Sequence, residues 1–375
     1  MTEPRHIGEQ PRLPDPRHWN GAADHPLLRL VQASRSGDHA ARTRLLDELH
    51  ALIRNGDAEI FAALRLVPSQ AVYRHLWELT CAAIDLPRAD AGPLVARLFA
   101  IPLVLVAGAK QNIVVPGIVP DTGEIGALLE AHGAVGITRN FGLSKSLGSL
   151  QALECITPGQ VFLWTHDFAA SGVPREISAE EIRVEAGQQV HLRFMIGAGI
   201  ASAAAPSFFE TAANIGAWGM PLTRVLARQM AQPGLDLLPI PRPPSAILKA
   251  AHAGRAAQLE LAFNLFVSNT AREFRTAIGD PTVVVSAHRI GEAAEIRISM
   301  SSRLDDTLLE GFCWPLHPLD EFDHIGSIIM SLLRECHIAD VQIAEAVFSD
   351  EKPAAPPCFI RAVDFDRLAC GALPH

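Results

Sequence analysis

Between Gln188 and Val347 the chain reads, in order, as strand, long helical insert, strand, tight turn, strand, helix and strand. Few layered architectures accept that order, and a βαββαβ layer is the simplest of them. Its first strand is the heptapeptide Val190 to Ile196, where Val190, Leu192, Phe194 and Ile196 alternate with His191, Arg193 and Met195. That is the period of a strand covered on one face, which leaves an outward face that is basic. The insert holds two helices, near 211–230 and 254–278, separated by the proline-rich stretch Leu238 to Pro244. The second stops at Gly279, with Pro281 just beyond, as helix C-termini commonly do. Thr282 to His288 and Ala294 to Ser301 form a hairpin whose second strand alternates Ile296, Ile298 and Met300 against Arg297, Ser299 and Ser301. Pro318 opens a helix with an apolar stripe of Phe322, Ile325, Ile329, Leu332, Leu333 and Cys336, and Val341 to Phe348 closes the sheet.

Upstream the pattern changes. Residues 1–25 mix prolines with scattered charge and show no hydrophobic period, so a disordered arm is expected there. From His25 to Leu86 the chain is helical: Leu45, Leu46, Leu49, Leu52 and Ile53 share a stripe between an Asp38 cap and a Gly56 stop, and Asp57 caps the next short helix. Another helix starts near Ser69. The run Ile101 to Gly108 is apolar without alternation, which predicts a strand covered on both faces. Ile113 to Val119 is a second apolar run, and Asp121 begins a helix that ends at Gly133. A helix over Ser144 to Cys155 and strands at Gln160 to Asp167 and Glu181 to Glu185 complete this α/β segment.

A length of 375 residues with 49% hydrophobic side chains supports two domains with ordinary cores. The net charge of −9 opposes binding to nucleic acid or to anionic lipid, and no apolar stretch is long enough to insert into a membrane. Only Lys110, Lys145, Lys249 and Lys352 contribute lysine to the 32 cationic residues, an arginine and alanine bias expected of a GC-rich bacterial gene. Six dispersed cysteines match neither a zinc site nor a disulfide framework, and no secretory signal opens the chain. A soluble cytoplasmic protein is expected.

Several local patterns invite a chemical reading. Gly197-Ala-Gly-Ile-Ala-Ser202 resembles a dinucleotide loop but lacks the third glycine and a following acidic strand end, so a close-packed turn is expected. His317, Asp320, Glu321 and His324 have metal-ligand spacing, yet Pro318 makes them the first turn of a helix, where acidic residues are favoured anyway. His166-Asp167 would point to opposite faces of a strand. Gly142 to Gly148 offers Ser144, Lys145 and Ser146 without the spacing of a nucleophile elbow or phosphate loop, and a Ser144-capped helix start explains it. Lys110, Gln111 and Asn112 follow a strand at the end where ligands gather in open α/β sheets. The remaining candidate is collective: a cationic face of His191, Arg193 and Arg297, with His288 at the edge, that would take an acidic group.

These readings define an α+β protein: a mainly helical N-terminal region with an α/β segment, then a C-terminal ferredoxin-like (βαββαβ) layer with a long helical insert. The expected domains are an arm at 1–25, a helical and α/β domain at 26–158, an α+β domain at 159–349 and a proline-rich tail at 350–375. The expected function is that of a non-catalytic bacterial adaptor or assembly subunit with a protein partner, without cofactor or metal. The alternative is an enzyme or small-ligand binder that holds an anion where the domains join, through Lys110, Asn112, His191, Arg193, His288 and Arg297.

Overall fold

The computed structural model describes residues 13, 15–19, 21, 24–84, 94–134, 139–202, 215–277, 279–291, 293–302, 309–344 and 346–349. Its elements run α1 (Pro26–Arg35), α2 (His39–Asn55), α3 (Ala58–Arg65), α4 (Gln70–Ile84), β1 (Leu94–Ala109), β2 (Ile113–Val115), α5 (Thr122–Ala131), β3 (Arg139–Gly148), α6 (Leu150–Glu154), α7 (Pro158–Ser171) and β4 (Ile182–Val184). Then follow β5 (Gly187–Ser202), α8 (Ile215–Gln229), β6 (Leu235–Pro241), β7 (Ser245–Ala246), α9 (Ile247–Ala277), β8 (Thr282–Ile290), β9 (Ala293–Ser301), β10 (Leu309–Pro315), α10 (Phe322–Glu335), β11 (Asp340–Ile343) and β12 (Val347–Ser349). The protein is α+β, as expected. It divides between Gln258 and Leu259, inside α9, rather than near residue 158.

In the N-terminal unit, helices α1 to α4 pack Leu28, Val31, Leu45, Leu49, Ile60 and Leu76 into one core, joined by Phe162 of α7. Asp38 caps α2 by accepting from the Ala41 N–H, and Gly56 ends it with a positive φ. Asp57 precedes α3 but makes no cap bond there; its carboxylate accepts from the Gly159 N–H of α7 at 2.8 Å. The sheet of this unit has the order β3-β5-β1-β6, with β7 also on β1, and every pairing is antiparallel. β1 carries Phe99, Ile101, Leu103, Leu105 and Ala107 on the face packed against α5, α8 and the β2-β4 ribbon. The opposite face meets α7 and α9, where Gly254 lies against Phe194 and Pro102. Cover on both faces is what the unbroken apolar run of β1 predicts, and each fully buried aliphatic side chain contributes about 2 kcal/mol.

Two segments expected to be something else find their place here. Gln160 to Asp167 is helix, not strand: Thr157 and Gln160 form a capping box ahead of a Pro158 start, which commits the segment to α7. Ser144 lies in strand β3, which bulges between Leu143 and Leu147, and it is Ser149 that caps the short helix α6. The proline-rich stretch after 234 is the edge strand β6. The Arg242 N–H donates inward to Pro102 O at 2.8 Å, so by alternation Pro239 and Pro241 turn their nitrogens outward, where no ladder bond is lost.

The C-terminal unit is a sheet of order β10-β9-β8-β11, with β12 also on β8. The hairpin is as expected, but the next strand, β10, is an addition, and β11 and β12 run parallel to β8. The strand with Val190 belongs to the other sheet, between β1 and β3, so the βαββαβ order read across Gln188 to Val347 does not form one layer. The core of this unit packs Phe263 and Val267 of α9 and Ile325, Ile329 and Leu333 of α10 against Val283, Val285, Ile296, Ile298 and Trp314. α10 begins at Phe322, four residues after Pro318. Of the expected arm, Arg17 is docked: it pairs with Asp15 and donates to the His317 and Asp320 carbonyls at 3.1 and 2.7 Å. The rest of the arm up to residue 12 and the tail from 350 lie outside the described residues.

Candidate functional site

The proposed cationic face is two separate places. His191 and Arg193 lie on β5 opposite Leu105 and Leu103, on the face that packs the apolar core of the N-terminal unit. His191 is 0% and Arg193 2% exposed, so this side of the strand is interior and not solvated. The period-2 pattern holds in β5, but its second face is covered by the β2-β4 ribbon and by α5 and α8. The Arg193 Nη1 donates to the Leu192 carbonyl at 2.9 Å, Nη2 reaches the Glu181 carbonyl at 3.5 Å, and Nε has no acceptor. Neither ring nitrogen of His191 has a hydrogen-bond partner. Burial first, and then the charge of Arg193, push the His191 imidazole down to about 4, so it is neutral at pH 7. Burial likewise lowers Arg193, against the opposing charge of Glu180.

His288 and Arg297 do come together, in the sheet of the C-terminal unit. The register of β8 and β9 sets Ser286 opposite Arg297 and His288 opposite Glu295, and β10 adds Cys313 opposite Arg297. Alternation places all five on the face away from Val283, Val285, Ile296 and Ile298. Ser286 Oγ and His288 Nε2 are 2.7 Å apart; Arg297 Nε donates to Glu295 Oε1 at 2.6 Å, and Cys313 Sγ donates to Glu295 Oε2 at 3.0 Å. Burial and then Arg297 push His288 down to about 4, with Glu295 acting the other way. The face is therefore neutralised by Glu295 rather than cationic, and His288 sits on an interior strand instead of an edge. Ser286, Glu295 and Cys313 were missed; the spacings 286/288 and 295/297 carried the signal for the first two. A nucleophile-type oxygen beside an imidazole has the distance for proton transfer, but Ser286 and His288 are buried and bonded to each other, while Arg297 and Cys313 bond Glu295.

Lys110 and Asn112 separate as well. Lys110 lines an open cleft of about 830 Å³ at one end of the N-terminal sheet, together with Val106, Gly108, Gln188, Asp236 and Leu238. Gly108 stands between Gln188 and Asp236 in register, and its missing side chain deepens the floor. Asn112 holds a turn: its Oδ1 accepts from the Ala186 N–H at 3.3 Å.

Other patterns resolve structurally. Gly197 is in strand β5, where a Cβ would meet the Phe99 ring at 2.2 Å, so close packing holds although no turn is present. Asp320 Oδ2 accepts from the His317 N–H at 2.7 Å, and among the described residues no three His, Cys, Asp or Glu side chains are grouped to hold a metal. Ser144, Lys145 and Ser146 form an anion nest that is filled from within the chain. The Glu176 carboxylate accepts from Ser144 Oγ at 2.7 Å, Lys145 N at 3.0 Å, Ser146 N at 3.2 Å and Ser146 Oγ at 2.7 Å. No described helix is long and apolar enough to cross a membrane. Comparison of the chain with protein-family models, curated proteins and solved structures gives no match.

Proposed function

We propose that the chain is a non-catalytic accessory protein, an adaptor or assembly subunit of the bacterial cytoplasm, that holds a segment of a protein partner in the cleft at the end of the N-terminal sheet. The observation that carries this reading is the make-up of the cleft. Its floor is apolar and backbone-rich, with Val106, Gly108 and a Leu238 that is 50% exposed, and its rim offers Lys110, Gln188 and Asp236. An exposed leucine flanked by polar groups of both signs suits an extended peptide with an apolar anchor, since anchors supply most of the energy of a protein contact. The test is a photo-crosslinking amino acid at position 238, used in the source organism. A discrete protein adduct that Gly108→Trp abolishes is expected. Labelling no different from that of the same probe on a solvent face elsewhere would refute the cleft.

A second reading, a protein that binds a small anionic ligand, is favoured by a different observation: the buried guanidinium of Arg193, which only backbone carbonyls accept from, beside an imidazole with both nitrogens open. Binding of inorganic phosphate or acetate that depends on Arg193 is its test.

A further inference from the structure

The N-terminal unit buries a cation where its sheet would ordinarily take a leucine. A buried guanidinium without an anion is costly, and so is each unfilled polar nitrogen of His191. What lies over this corner is unusual. β3 pairs with β5 only as far as Gly148 opposite Phe194, so the stretch of β5 that holds His191 and Arg193 has no β3 partner. The segment 172–181, which has no helix or strand, runs along β3 and reaches this corner at its end, where the Glu181 carbonyl meets Arg193 Nη2. It is fixed at three points: Pro174 against Gly142, Glu176 in the nest of Ser144 to Ser146, and Glu180, whose backbone lies so close to Gly117 that a Cβ there would meet its carbonyl oxygen at 2.1 Å. The segment is acidic, with Glu176, Glu180 and Glu181 against Arg175, and the Glu181 carbonyl is one of the two acceptors that Arg193 has.

We propose that Arg193 and His191 form a binding site for the acidic oxygens of a ligand, a carboxylate or a phosphate, and that the strap 172–181 is its latched acidic cover. The proposal rests on the second reading above and is independent of the cleft. In the closed state the carbonyl of Glu181 and the charge of Glu180 stand in for the ligand. In the open state the anion accepts from Arg193 Nε and Nη2 and from a ring N–H of His191, the donors that the closed state leaves open or poorly filled. The latch is the exposed Glu176 carboxylate, whose bonds to Ser144, Lys145 and Ser146 are the polar one of the strap's three fixings.

The experiment is calorimetric titration of inorganic phosphate, and separately of acetate, into the full chain, its Glu176→Ala variant and the Glu176→Ala/Arg193→Met double variant. A ligand that binds only the open state is held back by the fraction of closed molecules, so loosening the latch is expected to tighten binding by about tenfold. The double variant should lose that binding. A response to phosphate alone or to acetate alone tells which acid the site takes. Glu176→Ala also frees the donors of Ser144 to Ser146, so anion binding that survives in the double variant places the anion there: the site assignment falls while the anion-binding reading stands. No binding by any form removes both. Methionine replaces a buried arginine at similar volume without leaving a charge, and cooperative melting confirms that the double variant is folded. If it is not, Glu176→Ala/His191→Leu takes its place, with the same loss expected and persistence counting against the site. In the wild-type chain, hydrogen exchange at 172–181 should quicken on addition of phosphate; unchanged exchange under conditions where heat is released would overturn the strap as a cover.

Discussion

Replacing Glu295 by leucine should be among the most damaging single changes to the C-terminal unit. Arg297 is 4% and Glu295 12% exposed at the side chain, and the Nε–Oε1 distance is 2.6 Å, so the pair is an enclosed ion pair and not a surface one. Taking away one partner of such a pair costs about 3–5 kcal/mol, because the remaining charge keeps its desolvation and loses its counterion. The same carboxylate accepts the Cys313 thiol, and that lost acceptor adds about 1 kcal/mol. For a unit of this size each kcal/mol lowers the melting temperature by about 4–8 °C, so Glu295→Leu should melt at least ~15 °C below the wild type. The reasoning makes a sharper demand on the double variant. Glu295→Leu/Arg297→Met removes both charges and should recover most of the loss, which gives a coupling energy near 3 kcal/mol. Urea denaturation followed by circular dichroism, with exchange of the β8 and β9 amides to confirm which unit opens, supplies all four corners of the cycle. A single variant within about 1 kcal/mol of wild type, or a double variant as unstable as the single one, would show that this pair does not hold its charges as described.

Three further outcomes can be checked on the same protein. His191 and His288 are both held near 4 in the folded state, below the ordinary 6.5, so the unfolded chain binds their protons first. Stability is therefore complete above pH 6.5 and falls as pH drops toward 4, by on the order of 3 kcal/mol for each histidine. His191→Leu should flatten part of that slope in urea titrations at stepped pH, and an unchanged slope would count against it. Gly197→Val should cost about 3 kcal/mol, since Phe99 lies where the Cβ would be, and Phe99→Ala in the same chain should relieve part of that cost. Although burial acts to raise it, the bonds from Ser144, Ser146 and the Lys145 N–H hold the Glu176 carboxyl below its usual range. Its contribution is thus present above pH 4.5 and is lost as pH falls through the lowered value. Glu176→Ala should cost about 2 kcal/mol for its four partly solvated bonds, and a variant melting with the wild type at pH 7 would contradict the latch.

The parts of the fold legible in the chain were those whose determinants are local. The stripe of Leu45, Leu49 and Ile53 between Asp38 and Gly56, the stripe of α10 and the β8-β9 hairpin each carry their signal within one element. The apolar run of β1 foretold cover on both faces because no polar residue interrupts it. β5 defeated the same logic: His191 and Arg193 look like a solvent face, and only residues from β2, β4, α5 and α8, up to about 80 positions away in the chain, make that face interior. Thr157 and Gln160 mark a helix start that hydrophobic alternation alone disguises as a strand. Of the candidate site, the pairing of His288 with Arg297 was anticipated, but its neutralising partner Glu295 became visible only when the register of β8 and β9 was set. Register is a property of two strands, and neither one displays it.

The outward prolines of β6 bear on how this protein behaves in a crowd. An edge strand with exposed leucines and free amides is a template on which other chains can add themselves, ending in aggregates or fibrils. Pro239 and Pro241, both buried, carry no amide hydrogen to offer an incoming strand, and the Pro239 carbonyl already accepts from Thr223 Oγ1 at 2.8 Å, while the ladder to β1 is kept. Strand addition along this stretch of β6 is disfavoured by two imino acids that take nothing from the ladder to β1.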